Sequence, residues 1–214
     1  MNINKDTKIY GSFSSKPGNN GCIFFNEQFE KHEINALYKS FYSTDPKKLI
    51  DSVKHLNFSG FALSMPLKID IMDYLDGIDD AAKEIGAVNT VINKDGKLIG
   101  YNTDWIGVHK YITTNNIWFT LDQPTTILGN GGFSKAIQYT LKKLNVDYKI
   151  ITRENWNDIP NLNGSLSVVF NATPVDIKLT SCKLIDGRPF TETGKEIAKL
   201  QAIEQFYLYT GIKK

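Results

Sequence analysis

The sequence predicts an α/β protein of two lobes joined by a short linker. Three observations carry that prediction. Strand-like and helix-like runs alternate from the start, the pattern that yields parallel sheets packed with helices. Residues 115–124 interrupt both periodicities with polar residues and a proline, and so mark the linker. At 214 residues the chain has room for one ordinary core or two small ones.

Residues 8–13 read as a strand and residues 22–33 as a helix with Cys22, Phe25, Phe29 and His32 on one face. Residues 36–42 read as a second strand. Thr44-Asp45-Pro46 then supplies an N-cap and a first-turn proline, opening a helix through Leu49, Val53 and Leu56. Residues 60–65 are a short, almost wholly apolar run of the kind buried on both faces of a sheet. After Pro66 the spacing of Ile69, Met72 and Leu75 predicts another helix, and residues 79–85 predict a short one. Residues 87–93 and 97–101 flank Lys94-Asp95-Gly96, a hairpin signal, and a helix over 105–113 follows Asp104, which suits an N-cap.

Beyond the linker, a strand over 125–128, a glycine turn, a helix over 133–144 and a strand over 147–152 make a βαβ unit. Residues 166–170 read as one more strand. The C-terminal run is helical, with Ile197, Leu200, Ile203 or Glu204, and residues 206–208 at helical spacing. The element order therefore divides the chain at the linker into residues 1–114 and residues 120–190, followed by a helix over 195–214.

Composition excludes several function classes. With 41% hydrophobic and 22% charged residues the chain is globular, and no window approaches the roughly 18 consecutive apolar residues of a membrane span. Residues 1–6 are polar and carry no signal-peptide pattern, so the expected location is the cytoplasm. Two cysteines, Cys22 and Cys182, are too few for a disulfide framework or a four-ligand zinc site. His32, His55 and His109 have no second ligand at metal spacing, so no metal is expected. The balance of 25 basic against 23 acidic residues argues for neither a nucleic-acid nor a membrane partner.

Gly129-Asn130-Gly131-Gly132-Phe133 lies between a strand and a helix inside the βαβ unit. There, glycines let backbone amides approach a pyrophosphate, and the helix N-terminus adds a partial positive charge. A tight strand-to-helix turn also needs glycine for steric reasons alone. The next strand ends at Arg153, where a dinucleotide fold meets the adenosine ribose. An acidic residue there would favour a free 2′-hydroxyl, whereas Arg153 suits a 2′-phosphate and hence NADP over NAD. An exposed arginine ending a strand is the alternative reading.

Three short motifs, Ser64-Met65-Pro66-Leu67-Lys68, Gly86-Ala87-Val88-Asn89-Thr90 and Asn102-Thr103-Asp104, occur in the order seen in the shikimate dehydrogenases. The chain resembles that superfamily, and within it the shikimate dehydrogenase-like subgroup. The resemblance continues through the glycine turn, Asn171-Ala172-Thr173, and Gln201-Ala202 with Phe206 in the last helix. It implies reduction of 3-dehydroshikimate to shikimate with NADPH, on an N-terminal α/β substrate-binding domain and a Rossmann-like NADP-binding domain, with the last helix returning to the former. It makes Lys68 the catalytic lysine and Asp104 its partner. Ser14, Ser64, Asn89, Thr103 and Gln201 become substrate ligands, and Gly129 to Phe133, Arg153, Asn171 and Thr173 line the cofactor. The pairing is chemically sound, since hydride arriving at a ketone leaves an alkoxide that needs a proton from a positioned acid. From the residues alone, Lys68 reads equally as a surface lysine at a helix start and Asp104 as an N-cap.

The chain also departs from the family. The two serines of its Ser-x-Ser-Pro segment fall on Asn19 and Gly21, with Ser14 and Ser15 a few residues earlier, and Ala62 replaces an asparagine that usually touches a ring hydroxyl. Between Asn171-Ala172-Thr173 and Gly194 only residues 174–193 remain, where relatives carry another βα unit, so the cofactor domain is abbreviated on one flank. The expected protein is a small-molecule enzyme, monomer or homodimer, acting on shikimate or a related hydroxylated cyclohexene carboxylate with NADP. The rival readings are a ligand-binding protein that has weakened or lost hydride chemistry and a quinate- or aminoshikimate-type dehydrogenase.

Overall fold

β1 (Lys8–Ser14) organises the first unit, because Ile9 and Phe13 face one core while Tyr10 faces the other. The computed structural model describes residues 3–120, 124–162, 167–180 and 182–212. They fall into two units, Met1–Thr103 with Ala202–Lys214, and Asp104–Gln201.

In the first unit α1 (Asn20–Lys31) carries the chain to β2 (Ala36–Tyr42), and α2 (Pro46–His55) carries it to β3 (Gly60–Leu63). Both strands lie parallel to β1, one on each side. Asp45 caps α2 through a 3.0 Å bond from the Lys48 amide, with Pro46 in the first turn as the sequence predicts. A 3₁₀ helix (Asp70–Tyr74), β4 (Gly77–Ile78), α3 (Asp80–Ile85), β5 (Thr90–Lys94) and β6 (Lys97–Tyr101) complete a sheet of order β2-β1-β3-β5-β6-β4. One face is covered by Leu49, Ile50 and Val53 of α2, with Phe61, Leu67 and Ile71. The other holds Phe25 and Phe29 of α1 with Ala202, Phe206 and Tyr209.

The second unit contains α4 (Asp104–Thr114), β7 (Thr125–Leu128), α5 (Gly132–Lys143), β8 (Tyr148–Ile151), a 3₁₀ segment (Arg153–Leu162), β9 (Val168–Asn171) and β10 (Lys183–Asp186). Its sheet is wholly parallel, in the order β10-β9-β7-β8, and all four residues of both β7 and β9 are buried. α6 (Glu192–Thr210) contributes its residues up to Gln201 to this unit and the rest to the first.

Several expectations change. α4 packs Val108, Tyr111 and Ile112 against Ile137 and Leu141 of α5, so the unit boundary follows Thr103 rather than lying near 114, and Ile197 joins the same core. The helix expected through Ile69, Met72 and Leu75 is a turn followed by the short 3₁₀ helix. It stops there because Leu75 is extended and Asp76 is bonded to Leu98 in both directions, at 3.0 and 2.8 Å, which commits the chain to β4. β4 and β10 have no counterpart among the expected elements. β5 begins at Thr90 rather than Ala87, because the Ala87 and Val88 amides bond to the Ala82 and Lys68 carbonyls instead of to a neighbouring strand. Of the predicted strand over 166–170, Leu166 lies outside the described residues, as do linker residues 121–123. Among the described residues no helix is long and apolar enough to cross a membrane, and no three His, Cys, Asp or Glu cluster as metal ligands.

Tyr10, Tyr38 and Tyr209 share the core beneath α1, with the Tyr10 hydroxyl donating to the Tyr209 carbonyl at 3.0 Å. Burial pushes the ionisation of all three phenols up. The folded chain therefore keeps these protons above about pH 10, where an unfolded chain sheds them, so stability falls as pH rises beyond that point. Alkaline titration followed at 295 nm and by circular dichroism should show a late fraction of phenols ionising together with loss of structure. Ionisation of all tyrosines near pH 10 with the fold intact would contradict it.

Candidate active site

In the first unit, β1 leads to β2 on one side and α2 returns the chain to β3 on the other, so the sheet has its topological switch between β1 and β3. Ligands of open α/β sheets bind beyond the carboxyl ends of the strands at such a point. Ser14 ends β1 and is buried, while Ser64 follows β3 and is exposed. The two ends are tied by the Ser64 amide to the Phe13 carbonyl at 3.0 Å and the Ser15 amide to the Met65 carbonyl at 3.1 Å. The next turn carries Lys68, half-buried, whose carbonyl accepts the Val88 amide at 2.7 Å. That bond brings the Lys68 turn against the segment that delivers Asn89.

Asn89 and Thr103 come together from the start of β5 and the end of β6. The Thr103 amide donates to Asn89 Oδ1 at 2.7 Å, and Asn89 Nδ2 donates to Thr103 Oγ1 at 3.0 Å. Both side chains are buried, with Asn89 at 2% exposure, so these bonds satisfy polar groups that water does not reach. Ser14, Ser64, Lys68, Asn89 and Thr103 therefore share one end of the sheet. Asp104, the buried first residue of α4, and Gln201, on α6, belong to the second unit.

In the second unit the glycine turn joins β7 to α5. Gly129 has φ +95°, and a β-carbon there would lie 2.8 Å from Thr173 Cγ2. The Gly129 carbonyl accepts the Ser134 hydroxyl at 2.7 Å. Gly131 is the N-cap of α5 and brings no side chain to occupy the first-turn amides. A β-carbon at Gly131 would meet nothing within 4 Å, so the approach to those amides from that direction is open. Asn171 lies at the end of β9, its Oδ1 accepting the Thr173 amide at 3.0 Å and the Thr173 hydroxyl at 2.7 Å. The Gly129 turn and the Asn171–Thr173 turn thus adjoin. Arg153 follows β8 and is exposed, and the turn before it is fixed by the Thr152 amide donating to Asn155 Oδ1 at 2.7 Å.

Residues 21–91 match the family model for the shikimate dehydrogenase substrate binding domain. A shikimate dehydrogenase (NADP(+)) of Bacillus cereus is 39% identical over 142 residues, which are 65% of this chain and 51% of that protein. Among solved structures, a shikimate 5-dehydrogenase-like protein superposes with a TM-score of 0.78 at 28% identity, over 99% of this chain and 94% of that one. A shikimate dehydrogenase solved in complex with NADP+ gives 0.76 at 28% identity, over 99% and 92%. The chain is thus similar to shikimate dehydrogenases over both of its units. It spans about half the length of the curated relatives it matches.

Three features of this chain escape sequence reading. Thr90 and Gln205 join the Asn89–Thr103 pair, and the signal for Gln205 is an amide set among the buried Ala202, Phe206 and Tyr209, where it needs a partner. The third is an ion-pair knot at the end of β10, in the stretch between Asn171–Thr173 and α6. Arg188 bonds both oxygens of Asp186 and reaches Asp176 at 2.6 Å, while Thr193 Oγ1 bonds the amide and carbonyl of Asp186. The side chains of Arg188 and Asp186 are only 10% and 9% exposed. No local sequence pattern announces this knot, because the end of β10, the turn after it, the start of α6 and Asp176 all contribute to it. Replacing Arg188 by methionine leaves the Asp186 carboxylate buried without its cation, so the melting temperature should fall by several degrees. An unchanged thermal melt would show that the knot does not hold this stretch.

Proposed function

We propose that this chain is an NADP-dependent oxidoreductase that interconverts 3-dehydroshikimate and shikimate, or a closely related hydroxylated cyclohexene carboxylate. The observation that supports it is the end of the first sheet, where Ser14, Ser64, the Lys68 turn and the Asn89–Thr103 pair gather at the switch between β1 and β3. Hydroxyl and amide groups there suit a polyhydroxylated ring, and an ammonium suits both its carboxylate and a developing alkoxide. The reading assigns the proton donor to Lys68 and the partner carboxylate to Asp104, with Gln201 as a further substrate ligand.

The second unit fits a dinucleotide at its pyrophosphate. The open, side-chain-free N-cap at Gly131 offers backbone amides and the positive end of a 12-residue helix to an anion. Gly129, Asn130, Gly132 and Phe133 shape that turn, Asn171 and Thr173 border it, and Arg153 suits a 2′-phosphate. A bound NADPH would supply the hydride, and NADP+ would accept it in reverse, while the protein would orient the ring and move the proton.

A steady-state assay of the purified chain with shikimate or quinate and NADP+, paired with calorimetry of NADP(H), tests the reading. Turnover of shikimate with NADP+ is expected. No turnover of either acid together with no NADP(H) binding removes the enzyme. Binding of shikimate that is indifferent to the cofactor would instead establish a ligand-binding protein.

A further inference from the structure

Within the first unit a chain of hydrogen bonds runs from α6 to the candidate substrate ligands. Gln205 Nε2 donates to Thr90 Oγ1 at 2.8 Å and to the Asn89 carbonyl at 3.4 Å. Thr90 Oγ1 donates to Asn89 Oδ1 at 2.8 Å, and the same oxygen accepts the Thr103 amide. All four residues are buried, Thr90 and Thr103 completely. A hydroxyl carries a single proton, whereas a primary amide nitrogen only donates. With Gln205 donating to it, Thr90 is an acceptor towards α6 and directs its proton at Asn89. The run Gln205 to Thr90 to Asn89 therefore has one polarity, which keeps the Asn89 carbonyl oxygen turned to Thr90 and the Thr103 amide, and its NH₂ turned to the Thr103 hydroxyl.

A competing arrangement lies close by. Thr90 Oγ1 and Thr103 Oγ1 are 3.3 Å apart, and either can donate to the other. Without the Gln205 amide, Thr90 can turn its proton to Thr103 and release Asn89 Oδ1, which loosens the Asn89 amide and changes what Thr103 presents. Buried networks of this kind hold one arrangement only while every member is satisfied.

We propose that Gln205 is a positioning residue for substrate: through Thr90 it sets the hydrogen-bonding polarity of Asn89 and Thr103, and so selects a ligand hydroxyl over a bare ring carbon. This rests on the proposed function of the same site. Gln205 touches no reacting atom in this scheme and acts only through Thr90 and the Asn89 backbone.

Two variants of the full chain test it. Gln205→Met removes the donor at similar volume, and Gln205→Glu presents acceptors, which draws the Thr90 proton away from Asn89. Each should raise the KM and the calorimetric Kd for shikimate about tenfold, the scale of one lost hydrogen bond in a preorganised site. The KM for NADP+ should stay within about twofold, as expected where cofactor contacts are unaltered. Thr90→Val interrupts the relay without touching α6 and should reproduce the shikimate shift if a Gln205 variant folds poorly. A shikimate KM and Kd unchanged in both Gln205→Met and Thr90→Val, with only a lowered melting temperature, would reduce Gln205 to a packing residue and overturn the inference while the enzyme reading stands. Absence of shikimate binding and turnover in the unaltered chain would overturn both.

Discussion

Replacing Lys68 by alanine is expected to lower kcat about 10²- to 10⁴-fold, the range spanned by a positioned general acid, while the melting curve barely moves. The backbone at this position carries bonds that hold the turn. The Lys68 carbonyl holds the Val88 amide at 2.7 Å, and the turn is anchored by Leu67, which is 1% exposed, and by the Ile71 amide bonded to the Leu67 carbonyl. Alanine keeps all of these. The lysine side chain is half-buried and outside the hydrophobic core, so its removal leaves the core packing intact. In the shikimate assay the lysine takes the hydroxyl proton as hydride leaves, a task confined to the transition state, so kcat and kcat/KM should fall together and the KM for shikimate should change little. The decisive comparison is rate per folded molecule against thermal melting. A variant that loses its transition but retains its rate would make Lys68 a structural residue and leave the proton donor unassigned.

That expectation begins with a motif, and the sequence discloses such motifs unevenly. β2, β6 and β7 (Ala36–Tyr42, Lys97–Tyr101 and Thr125–Leu128) are predicted to the residue, because alternation or apolar runs there are bounded by turn residues. Asp45-Pro46 and Gly86, which ends α3 with φ +68°, announce helix ends for equally local reasons. β4 and β10 are not announced. Two and four residues long, they are strands only because β6 and β9 offer them hydrogen bonds. The 3₁₀ segment Arg153–Leu162 is likewise invisible, with Pro160 inside it and a non-helical Asn155.

The same division runs through the candidate site. Ser64, Lys68, Asn89 and Thr103 sit in the short motifs that carry the family resemblance, whereas from the residues alone Lys68 reads equally as a surface lysine. Gln205 becomes meaningful only when β5 is placed beneath α6, more than a hundred positions away in sequence. The knot of Asp176, Asp186 and Arg188 depends in the same way on β10 lying beside β9. What sequence withholds is therefore the support around the site, because tertiary packing creates it.

The glycine turn is where that distinction can be tested on binding. Gly131→Ala should fold normally and bind NADP(H) weakly. At φ −87° and ψ −176° alanine is sterically allowed, and its methyl would meet nothing within 4 Å. Exchange of glycine for alanine at an N-cap costs under about 1 kcal/mol. The methyl would stand in the open approach to the first-turn amides of α5, where a pyrophosphate oxygen must come within hydrogen-bond distance. Losing one or two charge-assisted bonds there, about 1.5–3 kcal/mol, corresponds to a Kd raised roughly 10- to 100-fold. Gly129→Ala provides the contrast, because φ +95° and the Thr173 methyl at 2.8 Å leave no room for a side chain. A cost of about 1–3 kcal/mol for the strained backbone should lower its melting temperature by roughly 2–10 °C. Calorimetric titration with NADP(H) beside thermal melts separates the two effects. If Gly131→Ala binds the cofactor as tightly as the unaltered chain, the pyrophosphate does not lie on the α5 N-terminus, and the nucleotide site must be sought on another edge of the β10-β9-β7-β8 sheet.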